Sequence, residues 1–210
     1  MNIEIRQKDE RTSWEELTKL FHESFQERLD QGMQFTCSSF TPKIMERLGE
    51  NNVILVATDK DDGCLAGAAM IGIEKNKKGG TWGYLSNMAI SPAYKRCGIG
   101  SKLEEGRINI AKANGCRYVI SDTAVGATSS VNWHLKNGFK FFELESFYST
   151  NYYSYIFRKQ LVHHPLWSNS VYCKLHYWKS AILCRLKLKA NGEPSDFLNF
   201  YVRIRKILHI

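Results

Sequence analysis

One stretch, residues 84–103, constrains the fold of this 210-residue chain more than any other part of the sequence. It begins like a β-strand, turns at Ser91-Pro92, passes Lys95 and Arg96, and enters a helix through residues 98–101, Gly-Ile-Gly-Ser. Glycines in such a turn carry no Cβ, so backbone N–H groups can approach a bulky anion. The first turn of the helix adds unpaired N–H donors and the positive end of the helix dipole. The stretch therefore predicts a strand, turn and helix that hold an anion such as a phosphate.

A simpler interpretation is that the two glycines only ease the turn from strand to helix. A short Gly-x-Gly pattern does not decide between the two. The strand before it, the cations beside it and the helix after it favour an anion site.

The residues before this stretch predict a strand, two helices and a β-hairpin. Thr12 or Ser13 can cap the first helix, and Thr41-Pro42 is typical of the start of a second one. A polar turn that ends in Asp62-Gly63 suits the connection of a hairpin. The predicted strands cover residues 2–6, 53–58 and 64–74.

The residues after the stretch predict an α/β fold with a mixed central sheet flanked by helices. The helix that starts at Gly98 is followed by a strand at 116–123, and a helix between two strands makes that pair parallel. A short helix over 128–137 ends at Gly138-Phe139, and strands follow at 140–147 and 152–159. The aromatic residues of the last strand either line a substrate cleft or pack in the core, and the sequence leaves both open.

The C-terminal 50 residues differ in composition from the rest. The chain has 29 Lys and Arg against 21 Asp and Glu, and residues 161–210 hold eight of the basic residues and only two acids, Glu193 and Asp196. We therefore divide the chain into a domain over 1–160 and a basic extension over 161–210 with two amphipathic helices. Their apolar faces hold Val171, Leu175, Trp178 and Ile182 in the first helix, and Phe197, Phe200, Tyr201, Ile204 and Leu208 in the second.

We expect these faces to cover the domain or a second copy of the chain in a homodimer. Contact with an anionic membrane surface is an alternative, and contact with nucleic acid is a less favoured one.

Cysteine usage and hydropathy favour a cytoplasmic protein without a membrane span. The six cysteines form no C-x-x-C pair, and the N-terminus reads as a strand rather than a secretory leader. No apolar run approaches the length of a transmembrane helix. His163-His164 has no nearby cysteine or carboxylate, which favours a linker or surface feature over a metal site.

The order of elements resembles the GNAT superfamily of acyl-CoA-dependent N-acetyltransferases over residues 1–160, and two motifs carry the resemblance. The family's Gln/Arg-x-x-Gly-x-Gly/Ala turn matches residues 95–100, with Lys95 in place of Gln or Arg. The family's helix with a closing Gly-Phe matches residues 130–139, and Ala127 stands where the family has an Asn.

The resemblance implies acetyl-CoA as acyl donor and assigns its binding residues. Backbone groups of Met88, Ala89 and Ile90 would pair with the pantetheine arm like an added strand. The pyrophosphate would lie in the turn, which consists of Lys95, Arg96, Cys97, Gly98, Ile99, Gly100 and Ser101.

The resemblance also implies transfer of the acetyl group to a primary amine of a small molecule or peptide. His134 stands where many members have the Tyr that protonates the departing thiolate. Asp122 stands near the end of the strand where some relatives have a Glu that deprotonates the amine. Alternatively, His134 only packs between Trp133 and Leu135 at a helix surface, and Asp122 only fixes a loop. A CoA-binding protein without turnover is the rival function.

Overall fold

A computed structural model describes residues 2–33, 35–76, 79–147, 150, 152–163, 170–189 and 193–208. The chain forms two compact units, Met1–Ser121 and Asp122–Ile210. Unit 1 holds β1 (Ile3–Gln7), α1 (Trp14–Asp30), α2 (Pro42–Asn51), β2 (Val53–Asp59), β3 (Leu65–Lys75), β4 (Thr81–Ile90), α3 (Ile99–Ala113) and most of β5 (Tyr118–Ala124). Unit 2 holds the end of β5, then α4 (Thr128–Lys136), β6 (Lys140–Ser146), β7 (Tyr153–Gln160), α5 (Ser170–Lys187) and α6 (Asp196–Leu208). The predicted domain boundary at residue 160 stays a prediction.

The strands form a seven-stranded mixed sheet in the order β1-β2-β3-β4-β5-β7-β6. Strands β1 to β4 are antiparallel neighbours, β4 and β5 are parallel, and β6 and β7 are antiparallel. The predicted α/β class, the hairpin and the parallel pair around α3 are confirmed. No helix in the described part of the chain is both long and apolar enough to cross a membrane.

Short-range signals determine where the first two helices begin. The Ser13 side chain accepts a hydrogen bond from the Glu16 N–H, and the Glu16 carboxylate accepts one from the Ser13 N–H, which is a complete capping box. Thr41 caps α2 through the Ile44 N–H, and Pro42 occupies the first helical position.

The core of unit 1 lies between the sheet and its helices. Helix α3 packs against β1 to β4, and α1 packs against α2, β3 and β4. Leu103 and Ile99 of α3 are buried with Leu55 and Ala69 of the sheet. This packing fixes the start of α3 on the strands that lead into it.

In unit 2, α5 packs on the β6–β7 hairpin through a face that the sequence did not single out. Cys173, Ala181 and Cys184 are buried, and Tyr177 contacts Tyr155 and Phe141. The predicted face does lie on one side of α5, but it is exposed, so the expectation that it covers the domain is wrong. The sequence also predicts a break between the two C-terminal helices at Asn191-Gly192, and these two residues lie outside the described part of the chain.

Candidate functional site

A β-bulge interrupts β4 just before its last three residues. Ala69 of β3 lies opposite Met88, while Met70 lies opposite Ser86, so Asn87 is the extra residue. Asn87 has a φ of 45°, which is left-handed. Asn is one of the few non-glycine residues that accept this conformation at moderate cost. The bulge sets the direction of the strand end that leads to the anion turn.

The register beyond the bulge decides which backbone groups face away from β3. The Ser91 N–H donates to the Ala66 carbonyl at 3.0 Å, so the hydrogen-bonded positions of this antiparallel pair are Ser91 and, two residues earlier, Ala89. Met88 and Ile90 therefore direct their N–H and C=O groups to the opposite edge of β4. The register with β5 runs from Gly83 to Leu85 and includes neither residue.

Arg107 of α3 donates hydrogen bonds to the backbone next to the bulge. Its Nη1 atom donates to the carbonyl oxygens of Met70 and Ser86, both at 3.1 Å, and its Nη2 atom pairs with the Glu104 carboxylate. Arg107 is 3% exposed and Glu104 is 5% exposed. The guanidinium thus donates to one backbone carbonyl on each of the two strands next to the bulge. Helix α3 is thus tied to the point where β4 changes direction.

The turn after β4 has the geometry of an anion site. Arg96 (φ 65°) and Gly98 (φ 77°) are both left-handed, and α3 begins directly after Gly98. Left-handed residues in a turn direct successive N–H groups toward a common concavity. Lys95, Arg96 and Lys102 are exposed, and the first turn of α3 has no acidic residue. Cys97 is also exposed, and its thiol lies 3.6 Å from the Lys95 carbonyl oxygen.

The fold constrains the two glycines of the turn differently. A Cβ on Gly98 would meet no atom within 4 Å, but the positive φ strains any L side chain there. Gly100 lies in the helix, and a Cβ there would make only an ordinary 3.6 Å contact with the Met88 sulfur. The fold by itself therefore favours glycine at position 98 and tolerates a methyl group at position 100.

Helix α1 contacts both parts of this site. The Ser24 hydroxyl accepts the Ile90 N–H at 3.2 Å, which is one of the backbone groups that face away from β3. One turn later, Glu27 lies 3.7 Å from the Lys95 ammonium. Both of these charged side chains are well exposed, so this ion pair is weak. The Ser24 contact is the more informative one, because it marks the Ile90 N–H as a donor that an incoming acceptor would have to take over.

The two predicted catalytic residues, Asp122 and His134, belong to unit 2. His134 is 7% exposed, and its ring stacks on Phe157 at a centroid distance of 4.7 Å. Its Nδ1 atom lies 2.7 Å from the Ser130 carbonyl oxygen, which can only accept, so Nδ1 carries a proton. In the neutral ring Nε2 is then the unprotonated nitrogen. The ring is buried among aromatic side chains, and the part of the packing interpretation that placed it at a helix surface is wrong.

Asp122 lies within β5, two residues before its end, and is partly buried. The neighbouring Thr123 hydroxyl donates to the Ser130 hydroxyl at 2.9 Å, which ties β5 to the first half of α4. Ser130 thus contacts both Thr123 and the His134 ring. The roles predicted for Asp122 and His134 stay predictions.

The other predictions for this half of the chain concern packing and histidines. Phe157 is fully buried, and both Phe157 and Tyr155 contact Phe141, which supports the core interpretation of the aromatic strand. His163 is exposed, while His164 lies outside the described residues.

Comparison with known proteins decides the family. The model of the acetyltransferase (GNAT) family matches residues 14–139, which is more than half of the chain. The chain belongs to the GNAT acetyltransferase family. Acetyl-CoA is the acyl donor of GNAT enzymes. The bulge, the end of β4 and the glycine turn all lie inside the matched region. None of the curated protein sequences matches the chain.

Solved GNAT structures share the fold at low sequence identity. A GNAT acetyltransferase from Streptococcus pneumoniae has a TM-score of 0.60 at 19% identity, over 77% of this chain and 100% of that one. A GNAT acetyltransferase from Elizabethkingia anophelis with acetyl-CoA bound has a TM-score of 0.57 at 13% identity, over 76% and 99%. The NatC complex bound to Gag peptide and CoA contains a chain with a TM-score of 0.59 at 14% identity, over 77% and 100%.

Sequence reasoning missed three residues that shape this candidate site, which are Ser24, Asn87 and Arg107. Arg107 had a usable signal, because it and Glu104 interrupt an otherwise apolar helix face at a spacing of three residues. Ser24 and Asn87 had none, since both act through the register of distant strands.

Proposed function

We propose that this protein transfers the acetyl group of acetyl-CoA to a primary amine by direct attack of the amine on the thioester. The observation that carries the proposal is the end of β4, where Met88 and Ile90 direct backbone groups away from β3. The exposed glycine turn follows within ten residues at the start of a 15-residue helix. One strand edge and one helix start thus offer partners for the amides and for the phosphates of the same ligand.

The end of β4 and the glycine turn would bind different portions of acetyl-CoA. The N–H and C=O groups of Met88 and Ile90 would pair with the pantetheine amides, as a strand pairs with its neighbour. The turn from Lys95 to Ser101 would hold the pyrophosphate through its N–H groups, with Lys95 and Arg96 adding positive charge. The register assigns the Ala89 backbone to β3, so we propose its contribution as packing only.

The chemical step needs few groups. The neutral amine attacks the thioester carbonyl carbon, the carbon–sulfur bond then breaks, and the thiolate leaves. Asp122 would accept the proton that the amine loses, directly or through a water molecule. His134 would protonate the thiolate, and because Nδ1 donates to Ser130, the proton would have to leave from Nε2 of the charged ring.

The acceptor is proposed only as a class, a primary amine on a small molecule or a peptide. We also propose a reducing, cytoplasmic location. All six cysteines lie in the described part of the chain and are free thiols, which supports that location.

The test is release of CoA from acetyl-CoA over a broad panel of amines, with mass spectrometry of the acetylated product. His134→Phe and Asp122→Asn are expected to lower the turnover rate and alter its pH profile. His163→Phe and Asp61→Asn are matched controls at exposed positions and should change neither. Binding of acetyl-CoA without acetylation of any amine would favour the rival protein without turnover. Unchanged rates and pH profiles in both variants would remove the two assigned roles.

A further inference from the structure

The two C-terminal helices carry large apolar side chains that are exposed in the described part of the chain. In α5 the stripe consists of Val171 (58% exposed), Leu175 (64%), Trp178 (62%) and Ile182 (57%). In α6 it consists of Phe197, Phe200, Tyr201 and Ile207, of which Ile207 is 74% exposed. We call these eight residues the apolar stripe. Large exposed apolar surfaces on a folded protein mark interaction sites.

The apolar stripe of α5 is not the side of the helix that packs on the rest of unit 2. The opposite side of α5, with Cys173, Ala181 and Cys184, is already buried on β6 and β7. The two helices are joined by fixed contacts. The Ser195 N–H and hydroxyl donate to the carbonyls of Lys187 at 3.1 Å and Leu186 at 2.6 Å. The stripe therefore lies on two helices that hydrogen bonds connect and of which α5 packs on the hairpin.

Positive charge lies on both sides of the stripe. At 3.6 residues per turn, Lys174 and Arg185 fall on one side of the α5 stripe and Lys179 falls on the other, and all three are exposed. Helix α5 has no acidic residue, and Arg203 of α6 is also exposed. Residues 161–210 hold eight basic residues against two acids.

We propose that α5 and α6 dock on an anionic lipid bilayer. The apolar stripe enters the boundary between headgroups and acyl chains, and the flanking Lys and Arg side chains contact lipid phosphates. Trp178 suits this position, because an indole has an apolar body and one N–H donor.

Charge and apolar character favour a bilayer over a second copy of the chain and over nucleic acid. A second copy of the chain, the homodimer that the sequence left open, would bring one basic surface against another. Nucleic acid would satisfy the charges but would offer no apolar layer to side chains such as Leu175 and Phe200. An anionic bilayer provides both negative charge and an apolar layer.

The experiment is co-sedimentation of the full-length protein with vesicles of phosphatidylcholine, alone or with about 30% phosphatidylglycerol. We expect binding at least about tenfold tighter to the anionic vesicles, and loss of most of that binding when salt rises from about 50 to 500 mM.

Trp178→Ser and Leu175→Ser are each expected to weaken binding about fivefold or more. Ile44→Ser, at a 39% exposed apolar position in α2, should have no effect. Lys174→Glu with Lys179→Glu should weaken binding, and Lys19→Glu in α1 should not.

Three results would overturn the proposal. The first is equal binding to neutral and anionic vesicles. The second is no vesicle binding together with a dimer in sedimentation that Trp178→Ser dissociates. The third is no vesicle binding together with binding to duplex DNA or RNA that the double Lys variant abolishes. If one Ser variant fails to fold, the other Ser variant and the charge variants still decide the outcome.

Discussion

The guanidinium of Arg107 donates a hydrogen bond to the carbonyl oxygen of Ser86 over 3.1 Å, from the middle of α3 to the residue just before the β4 bulge. The same Nη1 atom reaches the Met70 carbonyl on the neighbouring strand. Helix α3 carries the anion turn at its start, so this contact links the two halves of the proposed donor site. A buried arginine in this position acts through the backbone that it holds.

Replacement of Arg107 should therefore affect both stability and donor binding. Arg107→Met leaves Glu104 as an uncompensated buried charge, and we expect a loss of about 3–5 kcal/mol in the free energy of unfolding. Combination with Glu104→Leu should recover most of that stability. The double variant still lacks the guanidinium that bonds the Met70 and Ser86 carbonyls, so it should bind acetyl-CoA about tenfold more weakly. Denaturant unfolding and calorimetric titration measure the two effects. Arg117→Met, at an exposed position, is the control, and wild-type affinity in the double variant would contradict this role.

Removal of the Ser24 hydroxyl should tighten acetyl-CoA binding. In the described structure this hydroxyl accepts the Ile90 N–H that the pantetheine arm is proposed to use. Ser24→Ala frees the donor, and the gain should be about fivefold, the size of one net hydrogen bond. The measurement is the dissociation constant of acetyl-CoA, with Ser39→Ala as control. Weaker binding in Ser24→Ala would instead mean that the hydroxyl contacts the bound donor.

Alanine at the two glycines should separate folding from binding. Gly98→Ala puts a Cβ on a residue with a φ of 77°, which should cost about 1–2 kcal/mol of stability. Gly100→Ala meets only the Met88 sulfur at 3.6 Å, so its stability should equal or exceed that of the wild type. Its methyl group would nevertheless lie among residues 98–101, where we propose that the pyrophosphate binds, so we expect it to reduce affinity for acetyl-CoA. Unfolding curves and titrations of both variants are the measurements, and full affinity in Gly100→Ala would exclude close approach of phosphate there.

The capping box of α1 should make stability depend on pH. The backbone N–H and hydroxyl of Ser13 lower the pKa of Glu16 below its usual 4.5. The contribution of Glu16 is therefore present above the pKa of the unfolded chain and is lost as pH falls through the lower pKa of the folded state. Glu16→Gln should unfold at lower denaturant concentration than the wild type at about pH 7, and the difference should shrink toward about pH 3. Glu15→Gln, in the same helical turn but outside the capping box, is the control. A difference that does not change with pH would contradict the ionic part of the cap.

The sequence predicted what short-range chemistry determines. Ser13, which was one of two predicted caps, Thr41-Pro42 and Gly98 each act on neighbouring residues, so the helix starts and the glycine turn could be predicted without a structure. The parallel β4–β5 pair followed from a helix between two strands. The GNAT resemblance then assigned the same turn to a CoA pyrophosphate.

Two features could not be predicted from the sequence, the bulge at Asn87 and the buried side of α5. The first depends on strand register, and the second depends on which of two apolar helix faces packs against the sheet. Asn87 is a bulge only because Met88 and Ser86 pair with consecutive residues of β3. In α5, hydrophobic periodicity selects the stripe with Leu175 and Trp178. The hairpin instead buries the opposite side of the helix, where small and aromatic residues fit the β6–β7 surface. A helix that is apolar on two sides does not reveal which side the protein buries.

The most direct test of the donor site is a crystal structure of the protein with acetyl-CoA bound. We expect pantetheine amides within hydrogen-bond distance of the Met88 and Ile90 backbone, with the Ile90 N–H released by Ser24. We also expect the pyrophosphate at the N–H groups of residues 98–101. A pantetheine arm that contacts neither Met88 nor Ile90, or a pyrophosphate held away from the Gly98 turn, would contradict this proposal.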